Sequence, residues 1–170
     1  MAFDIRKFPL KKSVLFRLLR YWPPYLGAGV RLTHVAADLR SIDVEMRAHA
    51  WNKNYVGVHF GGSLYAMTDP FYMLMLLENL GPDYIVWDKS AQIRFKRPGK
   101  GRVKASFKLS PERIQAIRDE ADAEEKAEPS FQIKIFNDAG DVIAEVDKVV
   151  SVRRKDKPRP TRASSPTQSE

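Results

Sequence analysis

Residues 63–80 read Ser-Leu-Tyr-Ala-Met-Thr-Asp-Pro-Phe-Tyr-Met-Leu-Met-Leu-Leu-Glu-Asn-Leu, and no other stretch constrains the fold as much. Leu64, Ala66, Met67, Phe71, Met73, Leu74, Met75, Leu76 and Leu77 fall on nearly every side of a 3.6-residue helix. Such a helix has no wet face and must be covered all round. Gly81-Pro82 ends it. The rest of the chain must therefore supply a layer that wraps it.

That layer is legible as strands. From Val35 to Trp51 the chain alternates, with Ile42, Val44, Met46, Ala48 and Ala50 on one face and Asp43, Glu45, Arg47 and His49 on the other. This predicts one long strand with a single wet side. After the apolar helix, Ile85 to Phe95 alternates in the same way, as does Val103 to Leu109 beyond a Pro98-Gly99-Lys100-Gly101 turn. Phe131, Ile133 and Ile135 mark another strand, and Asn137-Asp138-Ala139-Gly140 turns the chain into a last one carrying Val142, Ala144, Val146, Val150 and Val152. Ser110-Pro111-Glu112 is a helix-start signal, and Ile114, Ile117 and Ala121 give that helix one thin apolar stripe. The fold class that follows is α+β: an antiparallel β-sheet wrapped around one long buried central helix. One small sheet cannot cover both sides of itself, so two copies are expected to join.

The ends of the chain differ from its middle. The net charge is +8, but residues 1–20 carry +5 and residues 153–170 carry +4, leaving the centre near neutral. A nucleic-acid reading of the basic balance would be reading the ends, and no nucleic-acid partner is expected. Leu10, Val14, Leu15, Leu18, Leu19 and Trp22 recur at helical spacing with Lys11, Lys12, Arg17 and Arg20 between them. They predict an N-terminal amphipathic helix stopped by Pro23-Pro24, packed on the domain or on a second subunit, with membrane-surface contact as the other reading. Basic residues interrupt the segment too often for a membrane span, and the expected location is cytoplasmic. The expected organisation is an N-terminal helix and connection over 1–27, one domain over 28–153 and a disordered basic tail over 154–170.

With no cysteine and only His34, His49 and His59, thiolate zinc, cysteine nucleophiles and His-rich metal centres drop out, and no cofactor is expected. The polar residue to explain is Asp69 inside the apolar helix, because an ionised carboxylate there must be paired, capped or open to a wet cleft. Two readings stand. Asp69-Pro70 suits a restarted helix whose first amides, at Phe71 and Tyr72, the carboxylate caps; otherwise Asp69 is a general base or nucleophile in a substrate groove. Gly61-Gly62 opens the helix, where unbonded N–H groups can polarise a carbonyl oxygen, although a simple turn is the commoner reason for such a pair. His59 and Asn54 flank the same loop, either as packing and turn residues or as site residues.

Asn54-x-x-Gly57-x-His59-Phe60-Gly61-Gly62, followed by Asp69 in a buried helix, resembles the core motif of hotdog-fold acyl-CoA thioesterases, in particular the phenylacetyl-CoA type. The resemblance spans roughly residues 35–152. Trp22 to Gly29 together with Asn54 to Gly81 further resembles an uncharacterised subgroup of that superfamily. The likeness implies an acyl thioester substrate, with coenzyme A as its thiol part and no separate cofactor. It implies Asp69 as the catalytic acid that activates water or attacks the thioester, Gly62 as the amide that polarises its carbonyl with Gly61 beside it, and Asn54 as the residue that holds the nucleophile. It also implies a homodimer or dimer of dimers in which the acid of one chain faces the Gly-Gly turn of another. Phe60 stands where the family has histidine, and His59 lies one residue earlier. Pro70 directly follows the acid, and the helix near 111–126 is an addition, either lid or decoration. Arg94, Lys96, Arg97, Lys100 and Arg102 lie where such enzymes bind nucleotide phosphates; Arg94, Arg97 and Lys100 are the candidate contacts, with solvated strand charges as the alternative.

Overall fold

The computed structural model describes residues 12–156. The alternating segments become β1 (Val30–Val35), β2 (Ser41–Arg47), β3 (Tyr84–Phe95), β4 (Arg102–Lys108), β5 (Ser130–Asn137) and β6 (Val142–Arg154). All pair antiparallel in one sheet of order β1-β2-β4-β5-β6-β3, with β1 and β3 at its edges. The inward side chains follow period two. Ile42, Val44 and Met46 on β2 and Val103, Ala105 and Phe107 on β4 are all buried.

The sheet wraps α3 (Gly61–Ala66) and α4 (Phe71–Leu80). Phe71 and Tyr72 meet Phe107 at ring distances of 4.8 and 5.4 Å, and Tyr72 stacks on Phe131 at 4.0 Å. Such aromatic contacts add to the burial that holds helix to sheet. Met73, Leu74 and Leu77 stay partly exposed, so one side of the central helix is not fully covered by its own chain.

Several expectations are corrected. The expected single helix from Ser63 to Leu80 is two helices separated at Met67–Pro70, because Pro70 lacks the N–H that would continue the ladder. The expected strand from Val35 to Trp51 begins only at Ser41, and a separate strand, β1, precedes it. A bulge between Leu32 and His34 spoils the period of β1, and its turn into β2 holds Leu39 at φ 55° instead of using glycine. That left-handed leucine is tolerated because its side chain is buried. The N-terminal helical run does end directly before Pro23-Pro24, with Trp22 extended, and the two prolines then open a further helix, α2 (Pro23–Ala28), proline being at home in a first turn.

The N-terminal stripe also turns out differently. In α1 (Lys12–Leu18), continued by a 3₁₀ turn at Leu19–Tyr21, Phe16 is the buried residue, while Val14, Leu18 and Trp22 are exposed. The tighter 3₁₀ turn has three residues per turn, so one straight stripe cannot persist through it. Leu10 and residues 157–170, most of the expected tail, lie outside the described residues. The helix expected from Ser110 is α5 (Pro111–Ala123), with the Ser110 hydroxyl accepting from the Arg113 N–H at 3.2 Å and Ile114, Ile117 and Ala121 buried. Among the described residues no helix is long and apolar enough to cross a membrane.

Candidate functional site

Where α3 gives way to α4, the chain exposes Asp69. Its carboxylate is not seen to cap α4, whose N-cap position is taken by Pro70. Instead it faces Lys148 on β6, whose Nζ lies 3.3 Å from Asp69 Oδ1 and also donates to the Asp69 main-chain carbonyl. The Asp69 side chain keeps 44% of its exposure, whereas Lys148 has 1%. Lys148 sits in the inward row Val146, Lys148, Val150, Val152, among valines. An ammonium there is costly unless paired, and its second partner is Asp88 on β3, at 2.8 Å.

A bulge between Asp88 and Ser90 keeps both Asp88, opposite Val150, and Ala91, opposite Lys148, on the helix side of the sheet. Burial pushes the Asp88 carboxyl up, the negative charge of Asp69 adds to this, and the Lys148 ammonium opposes it. Asp88 Oδ1 is buried and accepts no hydrogen bond. Two tyrosines complete the surroundings. Tyr65 on α3 is near enough to Asp69 to feel its charge, and burial followed by that charge pushes the Tyr65 hydroxyl up. Tyr25 on α2 is buried with no partner for its hydroxyl, and burial, then the charge of Asp69, pushes it up in the same way.

The other sequence candidates gather around a groove of about 450 Å³ lined by Asn54, His59, Gly61, Leu64, Phe95 and Arg97 among others. Asn54 closes a tight turn: its side-chain carbonyl accepts from the Val58 N–H at 3.2 Å, and its main-chain carbonyl from Gly57 at 3.0 Å. His59 is 2% exposed, with Nε2 3.0 Å from the Gly101 carbonyl and its main-chain N–H bonded to Gly99 O at 2.9 Å. It ties the helix-start loop to the 98–101 turn. Burial holds its imidazole below the usual histidine value.

Gly61 and Gly62 form the first turn of α3, ahead of Ser63, the first amide to bond back, to Phe60 O at 3.0 Å. Both glycines have a phenylalanine ring close by. A Cβ on Gly61 would lie 2.9 Å from the Phe95 ring, and one on Gly62 would lie 2.5 Å from the exposed Phe60 ring. Arg97 reaches the groove but pairs with Asp141 at 2.6 Å. Arg94 instead pairs with Asp147 at 2.5 Å on the outer face of the sheet, and Lys100 is exposed beyond the groove lining. Asp69 is not among the residues that line the groove. One chain therefore holds two separate features: a carboxylate braced by a buried lysine, and a groove at a glycine helix start.

A family model described as Domain of unknown function (DUF4442) matches residues 11–152. The chain belongs to this family. Among solved structures, this DUF4442 chain is similar to a Pseudomonas aeruginosa protein of unknown function described as a probable thioesterase, at 24% identity and TM-score 0.73 over 86% of this chain and 98% of that one. It is also similar to a Haemophilus influenzae thioesterase at 15% identity and TM-score 0.61, over 94% and 97% of the two chains. A Chlorobaculum tepidum protein of unknown function matches at 15% identity and TM-score 0.68, over 84% and 94%. At these identities the likeness shows the fold, which is the thioesterase-like hotdog fold. No curated protein is similar enough to this DUF4442 chain to count as a relative.

Lys148, Asp88, Tyr25 and Tyr65 were not among the sequence candidates. The signal for Lys148 is present as a single charged residue interrupting an inward row of valines, and Asp88 continues the row of Tyr84 and Val86 in the same way. Tyr25 and Tyr65 carry no comparable mark.

Proposed function

We propose that this protein hydrolyses an acyl-CoA or a related acyl thioester, at a site completed by two copies of the chain. The observation that carries the reading is Asp69: a half-exposed carboxylate at a break in an otherwise apolar helix, held by Lys148, in a chain of thioesterase-like hotdog fold. In this mechanism the thioester carbonyl oxygen lies against the Gly62 N–H of one chain, with Gly61 leaving room for the backbone to approach. Asp69 of the second copy takes a proton from water, and the water oxygen bonds to the carbonyl carbon. The tetrahedral intermediate then collapses with cleavage of the C–S bond, the thiolate leaves with the proton from Asp69, and a carboxylic acid remains. Asn54 holds the water, and His59 acts from behind by fixing the loop that presents Phe60, Gly61 and Gly62. The acyl group occupies the groove beside Leu64 and Phe95, and Arg97 is placed for the phosphates of coenzyme A.

The test is thiol release from short, long and aromatic acyl-CoAs by wild type, Asp69→Ala and Asp69→Asn, each first shown to be folded and unchanged in oligomeric size. Loss of roughly a hundredfold or more in kcat in both variants is expected if the carboxylate is the base. Full activity in either would remove Asp69 from that role. A specific observation favours a second reading, a module that binds acyl thioesters without turnover: the Phe60 ring packs against the Cα of Gly62 and narrows the space beside the helix start. Acyl-CoA binding without thiol release, unaltered in Asp69→Asn, would favour it.

A further inference from the structure

We propose that Lys148 is a positioning residue for Asp69, clamping both its carboxylate and its main-chain carbonyl to the sheet, with Asp88 fixing the lysine from the opposite side. This deepens the reading above and rests on Asp69 as the reacting carboxylate. A buried lysine needs only one carboxylate to be neutralised, and Asp88 at 2.8 Å already supplies it. The contacts to Asp69 are additional, and they reach two parts of the same residue. In α4 the Leu74 N–H bonds back to Pro70 O at 2.8 Å, while the carbonyl one residue earlier, on Asp69, receives the Lys148 ammonium. The lysine thus occupies a carbonyl just ahead of the first turn of α4 and fixes the direction in which the carboxylate leaves the helix.

The sheet is built to aim that ammonium. Lys148 projects inward between Val146 and Val150, and the β3 bulge sets Asp88 beside it on the same face. The groups facing the carboxylate are therefore Lys148 on β6, Asp88 on β3, Tyr65 on α3 and Tyr25 on α2. With the lysine present the carboxylates of Asp69 and Asp88 share one cation. Without it they face each other with only phenols nearby, and protonating one of them becomes easier.

The test compares Lys148→Met, Lys148→Arg and the double variant Lys148→Met/Asp88→Asn with wild type, by kcat and KM for acyl-CoA hydrolysis across pH. Lys148→Met is expected to lower kcat roughly a hundredfold with KM within about a factor of two, as for a misplaced reacting group. The acid limb of its kcat/KM profile should move to higher pH, because the carboxylates of Asp69 and Asp88 then face each other with no cation between them, and Lys148→Arg should recover part of both effects. The double variant, which leaves only the half-exposed Asp69 carboxylate without a cation, should fold as wild type does, yet keep the low kcat with its acid limb back near the wild-type position. A double variant with wild-type kcat would show that the lysine and Asp88 form only a structural pair, and would overturn the proposal even if Lys148→Met does not fold. Carboxyl carbon titration of Asp69, assigned by its disappearance in Asp69→Asn, provides a readout that needs no turnover. If wild type hydrolyses no acyl-CoA, the proposed reaction fails, while an upward move of that titration in Lys148→Met, or in Lys148→Gln should the methionine variant not fold, still supports the clamp. An unmoved titration overturns it.

Discussion

A single charged residue at an inward strand position has consequences that a surface charge lacks. Lys148 is 1% exposed and contacts residues of β3 and of the turn between α3 and α4, so three segments converge on one ammonium. Buried ion pairs are weak evidence of stability, since desolvation offsets most of their attraction; at this position the geometry matters more than the energy. His59 shows the same scale in a different way. Its imidazole is buried against the Gly101 carbonyl and titrates below the usual histidine range because burial disfavours the cation. The unfolded chain takes up a proton near pH 6.5 that the native state does not, so the unfolded state binds more protons there. Stability is therefore full above that pH and declines as pH falls through it. The urea midpoint of wild type should drop more steeply than that of His59→Gln between about pH 7 and about pH 5. Parallel slopes for the two proteins would mean that His59 is not kept neutral by the fold.

Among the elements, the break between α3 and α4 and the bulge in β3 decide how Asp69 and Asp88 meet Lys148. Both depart from regular repeats, and each brings one partner of Lys148 into place. By contrast, α5 is regular and fixed by local signals: Ser110 as cap, Pro111 in the first turn and a stripe of Ile114, Ile117 and Ala121. Replacing Ser110 by Ala should cost about 1 kcal/mol, read as a lower denaturation midpoint with unchanged slope. No change would mean that the proline and the buried stripe set the helix start unaided. The sequence signals for α5, β4, β5 and β6 were read nearly to the residue, because caps and period-two alternation are local. β1 was missed, since its bulge breaks the alternation and Leu39 occupies a left-handed position where glycine is the usual marker.

At the scale of the molecule, the sheet ends in β3, an edge strand whose Trp87 is 68% exposed and whose Phe95 is 57% exposed beside Gly61. The central helix keeps Met73, Leu74 and Leu77 partly uncovered, and the two halves of the proposed site, Asp69 and the groove lined by Gly61, are separate within one chain. Pairing of two copies would cover the edge and unite the halves. Wild type is accordingly expected to sediment at twice the chain mass. Phe95→Glu, a charge placed at an already exposed position, should sediment as a single folded chain and lose thiol release. A wild type that sediments as one chain would exclude the two-chain site.

By itself, the sequence determined the inventory: one apolar helical segment, alternating strands on both sides of it, the glycine helix start and a lone carboxylate among apolar residues. These are readable because helical and strand periods, caps and turns depend on residues a few positions apart. The tertiary structure alone decided what Asp69 faces. Lys148 is 79 positions away on another element, and the helix break and strand bulge that bring them together leave no periodic trace. It also decided that His59 turns into the protein, toward a turn 42 residues along, while Phe60 remains over Gly62. Neighbouring residues leave a loop in directions set by long-range packing, which no local pattern encodes.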